Sequence, residues 1–459
     1  MHLYKCAITA PTITVATLTY LFLTIIGPSN AVPSVPKLEA SDILEQNSRN
    51  DTALLLKRKL SLREAEELFL KNNLSLISSK FEIEAKKAEI LQAQLWDNPS
   101  IAIDQNIYNR QTGIYFDTTK NGETAIQIQQ LFLMAGKRDK RIRLAKWNKE
   151  ISEQIFYDTL RSLKLELRTT FFQLYFARKS LEFYGESIPA VKKTISGAEN
   201  VYQNRNILLS ELLRLKSLLF RLENDRSKIT QIVYEKEAVL RVLLNEQNTT
   251  EYEIFPEFTE HADSEYSILS LDTKEIIKSA IENRPDLKSL ELSVKAEQTN
   301  LSLQKAMVIP DLALGGSYDR AGNYINNYYG FTLSTSIPLF DRNQGNIRSS
   351  EMILNSKKIA YEEQLLKVNT EVRAALEIAR DKERLLKNYR YSFTKEYKNL
   401  AGLMIENYRK KYINILEFAD FFESYSESTL NMIRLQSDRI EAAESLNFSI
   451  GKTVAELGK

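Results

Sequence analysis

The chain has 459 residues, enough for two or three domains of ordinary size. Its 62 basic and 60 acidic residues nearly cancel, which excludes both the basic footprint of a nucleic-acid binder and an acidic tail. Only 14 Gly and 10 Pro interrupt it, the composition of a helix-rich protein.

Residues 1–31 read as a secretory signal. Lys5 is the charged start, Ala7 to Ile26 is mostly apolar, and Ser29-Asn30-Ala31 is a small-x-small cleavage site before Val32. The alternative is an uncleaved anchor, but Pro11 and several Thr residues argue against a stable span. Cys6, the single cysteine, sits inside the signal and ahead of where a lipidated cysteine would stand. The mature chain therefore has no disulfide, and a chain of this size needs none. No other segment reaches ~18 consecutive apolar residues, so no transmembrane helix is expected. An outer membrane can also be crossed by β-strands, which are much harder to see in sequence.

Residues 32–59 are polar and proline-bearing and read as an extended arm. Helix period runs from about Ser61 to Trp96, with Ser61 as N-cap and Glu64 completing a capping box, and stops at Asn98-Pro99. Alternation follows: Ile101, Ile103 and Ile107 share one face, and Ala102, Asp104, Asn106 and Tyr108 the other. Asn109 to Gly122 reads as a loop, and Ala125-Ile126-Gln127-Ile128-Gln129 alternates again. Helix period then returns from about Ala135 to Arg205, with a kink expected at Pro189 and a restart capped by Ser187. After a break at Asn204-Arg205-Asn206, Leu208, Leu212, Leu215, Leu219 and Leu222 keep a heptad spacing to about Asn245.

Residues 247–270 form a polar, acidic linker around Pro256, and then the pattern repeats. Asn72 and Pro99 fall on Asn283 and Pro310 at a separation of 211 residues. Gln130-Leu131-Phe132 falls on Pro338-Leu339-Phe340 at 208, and Tyr202, Arg205 and Glu211 on Tyr408, Lys411 and Glu417 at 206. Two repeats, 60–246 and 271–455, are therefore expected to share one design. In the second, helix runs from about Lys274 to Met307 with a break at Asn283-Arg284-Pro285. A strand covers Leu312 to Tyr318, and a loop spans roughly Asp319 to Asn327. Phe331 to Leu339 then alternates more cleanly than any other stretch. Long helix resumes near Asn346, and a turn near Lys410–Asn414 leads to a last helix ending by Gly451.

The fold expected is mainly α with a small β part. Two short helices stacked end to end run alongside one long one in each repeat, with a strand pair at one end and a tight turn at the other. Four strands leave two open edges, and unpaired edge groups in lipid cost several kcal/mol each, so strands that span must be pooled between chains.

Catalytic chemistry has little to stand on. The two histidines are His2, within the signal, and His261, and no Ser-His arrangement or phosphate loop appears. No cofactor, metal site or nucleic-acid partner is expected.

Asn98-Pro99-Ser100-Ile101 with Gln129-Gln130-Leu131-Phe132-(x)3-Gly136-Lys137-Arg138, and Ile337-Pro338-Leu339-Phe340-Asp341-Arg342-Asn343-Gln344-Gly345-Asn346-Ile347 in the second repeat, resemble the TolC-like outer membrane efflux family. Within it the chain looks most like the channels of cobalt-zinc-cadmium and copper-silver efflux systems. The resemblance covers about residues 60–455. It implies a homotrimer in outer membrane lipid, whose 12-strand β-barrel continues as an α-helical barrel into the periplasm. It also implies a periplasmic adaptor and an inner-membrane pump of RND type that complete the system. A drug-efflux or type I secretion duct is the alternative within the family. A periplasmic coiled-coil adaptor is the alternative outside it.

The resemblance also assigns sites. Glu417 and Asp420 match an acidic pair constricting the periplasmic mouth; otherwise they are two solvated acids on a helix face. Tyr202, Arg205, Glu211, Tyr408 and Lys411 match helix tips that contact the adaptor. Glycine is usual where Arg205 and Lys411 stand, so Asn204, Asn206 or Asn414 is expected to take the positive-φ position. Tyr108, Tyr115, Phe116, Phe132, Tyr318, Tyr324, Tyr328, Tyr329, Phe331 and Phe340 cluster at strand ends. They are candidates for a membrane girdle or, alternatively, for the core of a soluble β-subdomain.

Overall fold

The computed structural model describes residues 56–247, 252–258, 268–321 and 325–455, with side chains except at 56, 390–401 and 409. The signal, most of the arm, His261 and Tyr324 lie outside these residues. In chain order the first repeat holds β1 (Leu56–Ser61), α1 (Leu62–Asn72), α2 (Leu74–Gln94), β2 (Ser100–Gln105), β3 (Tyr108–Asn109) and β4 (Ile114–Tyr115). It continues with β5 (Thr124–Phe132), α3 (Lys137–Gln203) and α4 (Leu209–Leu244). After β6 (Tyr252–Glu257) and a 3-10 turn (Ile268–Ser270), the second repeat holds α5 (Thr273–Asn283), α6 (Pro285–Ala306), β7 (Leu312–Ala321), β8 (Asn326–Thr335), α7 (Gln344–Arg409) and α8 (Ile415–Ile450).

The long helices set the frame. α3 has 67 residues and α7 has 66, each about 100 Å at ~1.5 Å per residue. Toward the strands, α2, α3, α6 and α7 lie side by side; toward the turns the order is α4, α3, α8, α7. Four helices therefore stand abreast at both levels. Between the levels, Phe69, Phe171, Phe172, Leu240, Val368 and Leu446 are fully or almost fully buried in one core. A second core at the turns joins Ile188, Leu215, Phe418 and Phe422.

Several expectations give way here. The first short helix is not continuous from Ser61 to Trp96; it breaks at Asn73, as its equivalent breaks at Arg284. Ser61 does cap, accepting from the Glu64 N–H at 3.3 Å. The Glu64 carboxylate, however, accepts from Arg58 at 3.3 Å instead of closing a capping box. Pro189 does not restart a helix: α3 runs through it. The carbonyl four residues back belongs to Gly185, where a side-chain-free residue lets the backbone yield to the proline ring. The end of the arm and part of the linker are extended as strands, a pairing the sequence did not suggest. β1 and β6 pair in parallel, Leu56 with Tyr252 through Ser61 with Glu257, and bury Leu60 and Ile254 completely.

The helix breaks are held the same way in both repeats. Asn73 donates through Nδ2 to the Leu243 carbonyl at 2.9 Å and caps α2 by accepting from Leu76 N–H at 3.1 Å. Arg284, its equivalent, donates through Nη1 to the Ser449 carbonyl at 3.2 Å. Leu243 and Ser449 are equivalent at the 206-residue separation. Each last helix thus ends against the break, closed by a left-handed residue: Asn245 at φ 55° and Gly451 at φ 76°. At Gly451 the approach is tight, since a Cβ would lie 3.2 Å from the Arg284 Cα. Gly451→Ala should therefore destabilise by about 1–2 kcal/mol from the left-handed backbone alone, and lower the thermal midpoint followed by circular dichroism. Asn245→Gly should leave the midpoint nearly unchanged.

Candidate functional site

The four-stranded sheet has the order β2-β5-β7-β8, all antiparallel. Paired residues in such a sheet share a face. The register sets Ile101 and Ile103 opposite Ile128 and Ile126, those opposite Gly316 and Tyr318, and those in turn opposite Phe331 and Tyr329. Leu314 pairs with Leu333 in the same layer. The other face carries Asp104, Gln127, Gln129, Ser317, Asp319, Thr332 and Ser334. The apolar face is open: Ile103 is 69% and Phe331 77% exposed. A soluble subdomain would bury this layer. β7 and β8 have ten residues each, the length of a tilted strand that crosses a bilayer. β2 and β8 are the sheet's open edges.

The aromatic residues sort by height. Away from the helices, the rings of Tyr108 and Tyr115 lie 4.9 Å apart and those of Tyr318 and Tyr329 5.1 Å apart, both pairs tilted. At the helix end, Phe132 closes β5 and Phe340 lies past the end of β8, 91% exposed. Phe331 is not at a strand end; it lies inside β8, opposite Gly316. The alternation expected to continue to Leu339 stops at Thr335, because Pro338 removes a ladder donor. Trp96 escaped the sequence reading. Its ring meets Phe132 edge-on at 6.2 Å, and a tryptophan between helix and strand was the available signal.

The stretch from Asn109 to Gly122 is not a plain loop. β3 and β4 form a small hairpin, and beside it Asp117 is fully covered. Its carboxylate accepts from the Thr119 hydroxyl at 2.6 Å, the Thr112 hydroxyl at 2.7 Å, the Thr119 N–H at 2.9 Å and Asn109 at 2.9 Å. These bonds outweigh desolvation and hold its pKa at about 2. Gly122 is required there, because a Cβ would fall 1.7 Å from the Asp117 carbonyl oxygen.

At the other end are the two turns. The Arg205 N–H donates to Tyr202 at 2.8 Å and Asn206 to Val201 at 3.1 Å. Lys411 donates to Tyr408 at 3.0 Å and Tyr412 to Asn407 at 2.9 Å. Both are Schellman closures. Arg205 and Lys411 themselves take the left-handed position, at φ 59° and 61°, contrary to the expectation that a neighbouring asparagine would. Asn204 stays right-handed at φ −82°, and Asn414 caps α8 in extended backbone. Tyr408 packs its ring on Phe418 at 5.0 Å, and burial with the nearby Glu211 charge raises its pKa. Tyr202 is 37% exposed.

The acids of the second turn are each engaged separately. Glu417 accepts from the Asn414 N–H at 3.0 Å, while Asn414 accepts from the Glu417 N–H at 2.9 Å, a capping box. Glu211 does half of this, accepting from the Leu208 N–H at 3.1 Å. Asp420 pairs with Arg214 of the first repeat, and Glu423 with Arg221. Among the described residues no group of three or more His, Cys, Asp or Glu could hold a metal.

A two-faced sheet carried on four abreast helices defines one subunit of a channel. The comparisons agree: the chain matches the outer membrane efflux protein family over residues 67–246 and 276–452, well over half its length. The chain belongs to that family. It is similar to the cobalt-zinc-cadmium resistance protein CzcC of Cupriavidus metallidurans, 21% identical over 294 residues, 63% of this chain and 66% of that one. Among solved structures, the Campylobacter jejuni CmeC outer membrane channel superposes with a TM-score of 0.71 at 14% identity, covering 92% of this chain and 94% of CmeC. CusC, described by its transmembrane channel formation, gives 0.69 at 16%, covering 93% and 99%. These likenesses give the chain a TolC-like fold.

Two outcomes are expected. Arg205→Gly with Lys411→Gly should relieve about 0.5–1 kcal/mol per turn, slowing hydrogen exchange at the Asn206 and Tyr412 amides severalfold. Asp117 contributes stability above its unfolded pKa near 4 that is lost as pH falls through about 2. At neutral pH Asp117→Ala should mimic that loss, opening Arg110 and Lys120 to trypsin while the strands stay protected.

Proposed function

We propose that three copies of the chain form a passive efflux duct. Their sheets pool into a 12-strand barrel in the outer membrane of a Gram-negative bacterium, β8 of one copy closing against β2 of the next. Their helices continue the duct into the periplasm as an α-barrel. A periplasmic adaptor seats on the helix turns, where Tyr202, Arg205, Glu211, Tyr408 and Lys411 lie, and an inner-membrane pump of the RND type delivers cargo. The duct performs no reaction. The observation that carries this reading is the sorting of the sheet into one open apolar face and one polar face between two unpaired edges. Tyr108, Phe132, Tyr318 and Phe340 form the girdle, with Phe331 in the lipid band between. Metal ions are the cargo this reading favours, supported by the likeness to a cobalt-zinc-cadmium resistance protein.

Glu417 and Asp420 line the periplasmic mouth. Three copies would bring six carboxylates to the narrowest part, attracting cations. Arg214 tempers this by pairing with Asp420 in each copy.

Two experiments test the reading. Leu333→Lys should impair membrane insertion, costing about 2–4 kcal/mol near the midplane, while Ser334→Lys should yield normal trimers in the outer membrane fraction. The reverse pattern would mean the faces are assigned wrongly. In single-channel recordings, Glu417→Gln with Asp420→Asn should lower cation preference at low salt. The change should vanish near 1 M, where screening shortens to ~3 Å. Glutamine still serves a capping box, so the turn should hold. Unchanged selectivity at low salt would leave Glu417 a cap and Asp420 a surface ion pair.

A further inference from the structure

The first three turns of α3 read Lys137-Arg138-Asp139-Lys140-Arg141-Ile142-Arg143-Leu144-Ala145-Lys146, six cations to one acid. They begin five residues after β5 ends at Phe132. Between this segment and the end of α2 lies a groove of about 430 Å³, whose lining includes Leu95, Trp96, Leu133, Arg138, Arg141 and Leu144 together with two acids, Asp97 and Glu89, the latter paired with Lys86 at 2.7 Å. The apolar rim is open, with Leu95 62% and Trp96 60% exposed.

The groove continues the sheet's apolar face. Phe132 shares that face with Ile126 and Ile128, since successive even positions of β5 point the same way. Trp96 meets Phe132 edge-on, and the Arg138 guanidinium lies 4.8 Å from the centre of the Trp96 ring. One column therefore runs from isoleucine through phenylalanine and tryptophan to arginine. Arg138 spends one Nη donor on the Gln94 carbonyl, and its Nε has no partner. Arg141 forms no ion pair among the described residues. The second repeat lacks this arrangement: Met307, Asn346 and Ser349 stand where Trp96, Arg138 and Arg141 do.

We propose that this groove binds the headgroup of an anionic phospholipid in the periplasmic leaflet, one per chain. The inference rests on the sheet spanning the outer membrane with its helix end toward the periplasm. Arg138 and Arg141 take the phosphate, for which a planar guanidinium offers paired donors. Trp96 sits at the level of the glycerol ester, where tryptophan is favoured. The acyl chains lie along Phe132, Ile128 and Ile126. Arg138 is already oriented by its stack on Trp96, so binding orders little that is not ordered beforehand.

The test uses the full-length trimer carrying Trp147→Phe, which leaves Trp96 as the one tryptophan. It is reconstituted in bilayers doped with brominated phosphatidylglycerol or, separately, brominated phosphatidylcholine, and Trp96 quenching is measured. The expected result is a marked preference for phosphatidylglycerol that Arg138→Gln with Arg141→Gln abolishes. Each basic residue near an anionic surface contributes roughly fivefold, so Arg141→Gln alone should cut the preference about that much. Arg141 stacks on nothing, so this variant keeps the fold. Residual quenching by phosphatidylcholine shows that Trp96 remains at the membrane. Equal quenching by both lipids would overturn the site while leaving the channel reading intact. No quenching by either would overturn both. Loss of the preference in inorganic phosphate, but not in chloride of equal ionic strength, would make this a site for free anions and overturn the lipid assignment.

Discussion

An edge strand in lipid has nowhere to place its free N–H and C=O groups, and each one left unpaired costs several kcal/mol. That constraint governs this molecule. The sheet ends at β2 on one side and β8 on the other, and none of the described residues covers its apolar face. Closure has to come from further copies, and the number of strands per copy then fixes what each copy must carry beneath them. Two strands from each repeat feed two helical hairpins, giving four helices abreast. The barrel in the membrane and the barrel below it are counted by the same repeat.

Such length needs a device at its middle, because a helix of about 100 Å has no partner of equal length in the same repeat. The solution is two shorter helices stacked end to end, with the break tied to the end of the last helix. Asn73 does this as a neutral side chain. Arg284 does it as a buried cation, held by Asp286 at 2.6 Å and Glu371 at 2.7 Å. Burial alone would lower the pKa of Arg284, but its bonds to Asp286 and Glu371 outweigh that and raise it. Burial likewise acts to raise the pKa of Asp286, and the bonds and charges of Arg284 and Arg161 bring it down. A buried guanidinium gives little net stability after desolvation. What it adds is directional: Arg284 ties the Ser449 carbonyl, Asp286 and Glu371 to one point, whereas Asn73 holds the Leu243 carbonyl and the Leu76 N–H.

Much of this was legible in the sequence because it is periodic. The repeat, the long helices and the alternation in Ile126–Gln129 and Phe331–Thr335 follow from spacing alone. The parallel pair of β1 and β6 was not legible, because Leu56-Lys57-Arg58-Lys59-Leu60-Ser61 has few apolar residues and its partner lies 196 residues away, Leu56 against Tyr252. Pro189 misled because its effect depends on the residue four back, here a glycine. The turns misled for a different reason. A left-handed backbone costs arginine or lysine only about 1–2 kcal/mol, and a Schellman closure with two backbone hydrogen bonds can hold it. At the acidic candidate site, residue type was readable while partnership was not. The cap on Glu417 follows from the local Asn414-Ile415-Leu416-Glu417 spacing, whereas the Arg214 partner of Asp420 comes from the other repeat.

That last pairing shows why two fused repeats differ from one repeat used twice. Arg214 and Asp420 are equivalent positions, and so are Arg221 and Glu427, at a separation of 206 residues. In an unfused, identical pair each position would carry one charge, and like charges would face each other around the ring. Divergence to opposite signs lets the α4 and α8 helices of one chain attract, as Arg214–Asp420 and Arg221–Glu423 do. Exposed pairs of this kind contribute at most about 1 kcal/mol each, too little to hold the bundle, whose core is Leu215, Phe418 and Phe422. Their weight lies in discrimination, since packing one α4 against a second α4, or one α8 against a second α8, would set like charges together, and repulsion disfavours it. The apolar core makes the helices associate, and the charges that separate the two repeats decide which helix meets which.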